Sequence, residues 1–218
     1  MKFKAVLFDM DGVIFDSERA VIECWKLVAP EAGLANIDEF CHRALGINSV
    51  ATRALFEEMY GTEVPYDELN QKKREFFVRM FDAGLVAVKP GVRDLLAYLK
   101  ENGVKVALAS STSSKSVLRE IIGAGLEKYF DEIVCGDMVQ RSKPAPDIWI
   151  EAMRRLGVDA SEAAAVEDSF NGVKSAKAAG LYTIMVPDLV QPDDEIRALV
   201  DIVKPSLNDV LDMMKQDS

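Results

Sequence analysis

Lys4-Ala5-Val6-Leu7-Phe8-Asp9-Met10-Asp11-Gly12-Val13 joins an apolar run to an acidic pair. Ala5 to Phe8 has the length and composition of a strand covered on both faces of a sheet. It stops on Asp9, and Asp11-Gly12 follows at once. Two carboxylates two residues apart, just past the C-terminal end of such a strand, lie where open α/β sheets bind ligands. Left alone, the pair resists ionising, because each charge raises its neighbour's pKa. A hard divalent cation removes the conflict, and Mg2+ is commonly held through one or two carboxylates. An ordinary Asp-Gly turn is the competing reading, whereas the preceding apolar run argues against a solvated surface pair. A calcium loop is excluded. Its fifth, sixth and twelfth positions require an oxygen donor, Gly and Glu, and here they hold Val13, Ile14 and Ala20.

The 218 residues suit one generous domain, or a core with a smaller insertion. A formal net charge of −10 argues against a nucleic-acid partner, so an anionic substrate needs locally placed Lys, Ser or backbone amides. Cys24, Cys41 and Cys135 are scattered with no Cys-x-x-Cys pair, which indicates idle thiols in a reducing cytosol rather than disulfides or zinc. Lys2 and Lys4 precede no apolar signal core, and no run reaches membrane-spanning length. A cytoplasmic location without a membrane partner is therefore expected. His42, the single histidine, has no Gly-x-Ser-x-Gly elbow to serve.

Beyond Asp9, Asp16 or Ser17 can cap a helix running towards Val28. From Ile37 to Arg79 apolar residues recur at three- and four-residue intervals, with turns at Gly46 to Asn48 and Gly61 to Pro65. This predicts a helical bundle inserted after the first strand. From Lys89-Pro90-Gly91 the pattern alternates. Strands are expected at Val104 to Ala109, Ile133 to Cys135, Ala163 to Val166 and Thr183 to Val186. Helices fall between them, with a closing helix at Leu207 to Met214. Such alternation means a parallel, doubly wound sheet, whose right-handed crossovers bring the strand C-terminal ends to one edge.

Three further loops leave that edge. Ser110-Ser111-Thr112 is a hydroxyl cluster; its plain reading is a helix N-cap, which can also hold an anion. Lys143, next to Pro144, offers a pre-positioned ammonium; the plain reading is a surface loop feeding a helix. Glu167-Asp168 is a second acidic pair after a buried strand, suggesting a metal again, with an Asp168 N-cap as the alternative. Each signal is weak alone. Their order and topology together are specific.

Asp9-Met10-Asp11-Gly12-Val13, Ser110, Lys143-Pro144 and Glu167-Asp168 resemble the four motifs of the haloacid dehalogenase-like phosphohydrolase superfamily. Lys143-Pro144-Ala145-Pro146-Asp147 and Glu167-Asp168-Ser169 are similar to its β-phosphoglucomutase and sugar-phosphate phosphatase group. The resemblance implies a Rossmann-like core at residues 1–16 and 87–218 and an α-helical cap at residues 17–86. It implies Asp9 as nucleophile, forming an aspartyl-phosphate, and Asp11 as general acid and base. Mg2+ would be held by the Asp9 carboxylate, the Asp11 backbone carbonyl and Asp168, with Glu167 behind them or reaching through water. Ser110 and Lys143 would hold the transferring phosphoryl oxygens.

Asp11 separates the chain from dehalogenases, which lack a carboxylate there, and from phosphonatase-like members. The related mutases carry a His in the first cap helix and an Arg in the first cap loop. Those places hold Val21 and Ser49, although Lys73 matches a cap lysine of that group. Without the Arg, the bidentate clamp on a second phosphate is missing. The expected reaction is hydrolysis of a small phosphomonoester by a monomer. A mutase is the alternative, and a phospho-receiver or binding module is the reading from another class. Ser111, Thr112, Ser49, Lys73 and Arg74, with the loop Gly46-Ile47-Asn48-Ser49, are expected to touch substrate.

Overall fold

In the computed structural model, which describes residues 2–47 and 49–216, the apolar run forms β1 (Ala5–Phe8), buried at every position. Asn48, in the loop singled out above, lies outside the described residues. The chain forms two compact units. One runs through Phe15 and resumes at Val88; the other is Asp16–Ala87.

Asp16–Ala87 holds α1 (Ser17–Val28), α2 (Ile37–Ala44), α3 (Ser49–Tyr60) and α4 (Tyr66–Asp82). The helical period turns Trp25, Phe40, Leu55, Phe56, Tyr66 and Leu69 inward, where they form one buried cluster with Val21 packed against it. Phe40 meets Trp25 and Phe56 edge-on at 5.3 and 5.4 Å between ring centroids, the geometry aromatic quadrupoles favour. The expected capping of α1 does not occur: Asp16 occupies the cap position without a side-chain cap bond. Its Oδ1 accepts from Arg19 Nη1 instead, at 2.9 Å.

The other unit is an α/β layer structure. Its sheet adds β2 (Lys105–Ser110), β3 (Glu132–Cys135), β4 (Ala163–Glu167), β5 (Tyr182–Met185) and β6 (Ile202–Val203) to β1. Among the described residues the order is β3-β2-β1-β4-β5-β6, with every neighbouring pair parallel. β6 is not expected from the sequence, because two residues leave no period to read. The helices are α5 (Val92–Glu101), α6 (Ser114–Gly123), α7 (Asp147–Leu156), α8 (Phe170–Ala178), α9 (Asp194–Leu199) and α10 (Leu207–Gln216). Ala5, Ala107, Ala163 and Ala165 share a buried cluster with the Trp149 indole of α7; small strand residues leave room for a large ring. Among the described residues, no helix is long and apolar enough to cross a membrane.

β1 lies where the strand order reverses, with β2 and β3 on one side and β4 to β6 on the other. That reversal opens a crevice at the strand C-terminal ends. The Asp9 N–H donates to the Val166 carbonyl at 3.0 Å, which carries the β1–β4 pairing into the acidic loop. Phe15 pairs antiparallel with Val88, and Lys89 N–H donates to the Ile14 carbonyl at 2.9 Å. The chain thus leaves this unit and re-enters it at one place.

Candidate active site

Three buried charged side chains meet beyond the ends of β1 and β4. Lys143 Nζ lies 2.5 Å from Asp9 Oδ1 and 2.7 Å from Glu167 Oε1, with the Trp149 ring centroid 4.5 Å away. Asp9, Lys143 and Glu167 are 8%, 7% and 0% exposed, so they must answer one another rather than water. Burial pushes the Asp9 carboxyl up to about 7; Lys143 opposes this, while Glu167 and Asp11 add to it. Burial works to lower the Lys143 pKa, but Asp9 and Glu167 outweigh it and hold the ammonium above its ordinary range.

Glu167 spends both oxygens inside the protein. Oε1 takes Lys143, and Oε2 accepts from the Asp168 and Ser169 N–H groups, each at 2.9 Å, and from Ser169 Oγ at 3.1 Å. A β carbon on Gly172 would sit 1.8 Å from Glu167 Oε1, so α8 approaches this carboxylate only because residue 172 has no side chain. Ser169, not Asp168, caps α8, accepting from Gly172 N–H at 3.1 Å. Asp168 lies instead against Gly12, whose φ is +76° and whose β carbon would fall 2.0 Å from Asp168 Oδ2. Asp9, Glu167 and Asp168 each present a carboxylate oxygen, all within 4.8 Å of one another. This all-oxygen donor set fits a hard divalent cation. The Asp11 carboxylate stands outside that cluster and accepts from Thr112 Oγ1 at 2.9 Å.

The loop after β2 is held by its backbone. Ser110, fully buried, accepts the Thr112 N–H on its Oγ at 3.1 Å, and the Thr112 carbonyl accepts from Gly136 N–H at 2.9 Å. The Ser111 carbonyl oxygen lies 2.1 Å from where a Gly136 β carbon would be, while residue 111 itself is exposed. The N-cap reading of Ser110 is corrected: β2 runs through Ser110 and α6 starts at Ser114. Asp137 serves that helix end, accepting from Ser114 N–H at 3.0 Å and Ser114 Oγ at 2.6 Å.

Within Asp16–Ala87, Ser49 begins α3 and shares with Arg53, Tyr66 and Arg74 a groove of about 450 Å3. Lys73 lies elsewhere on α4, its Nζ 5.8 Å from the Trp25 ring centroid. Gly12, Gly172, Trp149 and Asp137 escape sequence reasoning, because their parts depend on residues distant in the chain. Glu120 was open to it. This acid lies in the apolar stripe of α6 beside Val117 and Ile121 and is 5% exposed. Its Oε2 finds no hydrogen-bond partner among the described residues. Burial pushes its carboxyl up to about 8, with the Asp11 charge adding.

The sequence profile of the Haloacid dehalogenase-like hydrolase family matches residues 6–186. The "Phosphorylated carbohydrates phosphatase" of Thermotoga maritima is 32% identical over 98% of this chain and 99% of its own. "Protein CbbY" of Cereibacter sphaeroides is 31% identical over 88% of this chain and 87% of its own. A crystal structure of mutant CbbY from Rhodobacter sphaeroides in complex with xylulose-(1,5)bisphosphate superimposes with a TM-score of 0.79. It is 30% identical and covers 94% of this chain and 95% of that one. With four motif loops converging on one sheet edge and a profile match across most of its length, the chain belongs to the haloacid dehalogenase-like hydrolases, as a phosphoric monoester hydrolase.

Proposed function

We propose that the chain is a Mg2+-dependent phosphatase that hydrolyses a small sugar phosphate through an aspartyl-phosphate. The observation that carries this reading is the placement of Lys143 between Asp9 and Glu167, beside Asp168 at the sheet's switch point. The name of the Thermotoga maritima relative, which concerns phosphorylated carbohydrates, and the xylulose-(1,5)bisphosphate complex of mutant CbbY support the substrate class.

Asp9 attacks phosphorus through a carboxylate oxygen and the ester oxygen departs, taking a proton from Asp11. Water then attacks the phosphoryl group, Asp11 recovers a proton from it, and Asp9 is released with inorganic phosphate. Lys143 and Ser110 hold the phosphoryl oxygens where charge gathers. The Asp9 and Asp168 carboxylates and the Asp11 backbone carbonyl would hold Mg2+, which supplies charge against the phosphoryl oxygens and favours the ionised form of Asp9. Asp16–Ala87 would serve as the cap that selects the leaving group and excludes water. Cys24, Cys41 and Cys135, buried free thiols, fit a reducing cytosol. The missing Arg at Ser49 favours hydrolysis over a mutase.

The test is phosphate release from a panel of sugar phosphates, with Mg2+ or chelator, for the wild type and Asp9→Asn. Mg2+-dependent release lost in the variant is the expected result. Conversion of glucose 1-phosphate to glucose 6-phosphate with a bisphosphate primer, without net release, would replace the phosphatase by a mutase.

A further inference from the structure

The Thr112 side chain reaches the proposed acid/base. Its Oγ1 donates to Asp11 Oδ2 at 2.9 Å, and its own backbone has little freedom. The N–H is taken by Ser110 Oγ and the carbonyl by Gly136 N–H. Gly136 also presses on the Ser111 carbonyl so closely that no β carbon fits there. A β-branched side chain on a clamped backbone has few χ1 alternatives, and a hydroxyl has a single proton to donate.

We infer that Thr112 is a positioning residue for the acid/base: its hydroxyl holds Asp11 Oδ2 as an acceptor, so that the proton given to the leaving oxygen is carried on Oδ1. This rests on the acid/base reading of Asp11. It also changes the part assigned to Thr112 in the sequence, from touching substrate to orienting a neighbour. The loop that begins at the phosphoryl-binding Ser110 thereby sets the direction of proton transfer as well, since both residues hang on one fixed turn.

General acid catalysis matters for a poor leaving group and hardly at all for a good one. The test therefore compares kcat/KM, which reports leaving-group departure, on alkyl phosphates (glucose 6-phosphate, xylulose 5-phosphate, glycerol 1-phosphate) and on p-nitrophenyl phosphate. Thr112→Val is expected to lose about tenfold on the alkyl esters, mostly in kcat, and less than about twofold on the aryl ester. Thr112→Ser, which keeps the hydroxyl, restores the alkyl activity. An equal loss on both ester classes, a rise in KM at constant kcat, or no loss would overturn the positioning role. Asp11→Asn run alongside separates the two levels. If it discriminates between ester classes and Thr112→Val does not, only the positioning role falls. If neither discriminates, or the wild type hydrolyses no alkyl ester, the acid/base reading falls and takes the positioning role with it.

Discussion

Gly12 and Asp168 contest the same space: a β carbon at residue 12 would lie 2.0 Å from Asp168 Oδ2. The loop after β1 and the loop after β4 can close on one another only because residue 12 lacks a side chain and adopts a φ of +76°. Gly12→Ala would add about 1–2 kcal/mol of backbone strain and drive Asp168 aside. Mg2+ affinity, followed by calorimetric titration, is expected to fall at least about tenfold. Unchanged affinity would mean that Asp168 holds no ion.

Lys143→Met leaves two buried carboxylates facing each other without their shared cation. Stability to urea at pH 8 should fall by about 3 kcal/mol, and phosphate release by about a thousandfold. Lys143→Arg keeps the charge but needs room for a planar guanidinium between two carboxylates and the Trp149 ring, so it should not restore turnover. Recovery in the arginine variant would show that charge alone suffices.

Glu120 makes the fold pH-sensitive. Its carboxyl is raised from 4.5 to about 8 in the folded protein. Between those values the native state binds more protons than the unfolded one, so stability declines as pH rises and levels off above about 8. Glu120→Gln preserves the shape of the protonated side chain and removes that slope. At pH 8 the variant should be more stable by on the order of 4 kcal/mol, and at pH 4 nearly equal to the wild type. Parallel stability–pH curves for the two proteins would contradict this account.

Ser169 both caps α8 and donates to Glu167 Oε2. Ser169→Ala should lower thermal stability by about 1 kcal/mol. Mg2+-supported turnover should also fall, because Glu167 loses one of the donors that fix the carboxylate paired with Lys143. A change in melting temperature with unaltered kinetics would confine Ser169 to the helix end.

The sheet was legible because a buried parallel strand leaves a continuous apolar signature. Ala5 to Phe8 and Ala163 to Val166 both do, and both end in acids. The order of the motif residues was legible for a related reason, since Asp9, Ser110 and Glu167 stand at or next to a strand end and Lys143 precedes a helix. Helix ends were not. Ser110, Ser113 and Ser114 are equally good caps on paper, and the oxygen that serves α6 comes from Asp137, 23 residues further on. The interlock of Gly172 with Glu167 was equally hidden, because a glycine near a helix start reads as a turn until the carboxylate filling its missing side chain is seen. Glu120 is different: an acid in the apolar stripe of α6 is visible in the sequence.

The central place of β1, bonded to β2 on one side and β4 on the other, also orders events during synthesis. A nascent chain exposes Asp9 first and receives the surroundings of that carboxylate last, when Lys143, Glu167 and Asp168 have emerged. Until β4 docks, four apolar residues keep one bare edge. A chain cut between Ser110 and Lys143 would carry Asp9 on one fragment and Lys143, Glu167 and Asp168 on the other. Turnover by two such fragments would require β4 to pair with β1 across the cut.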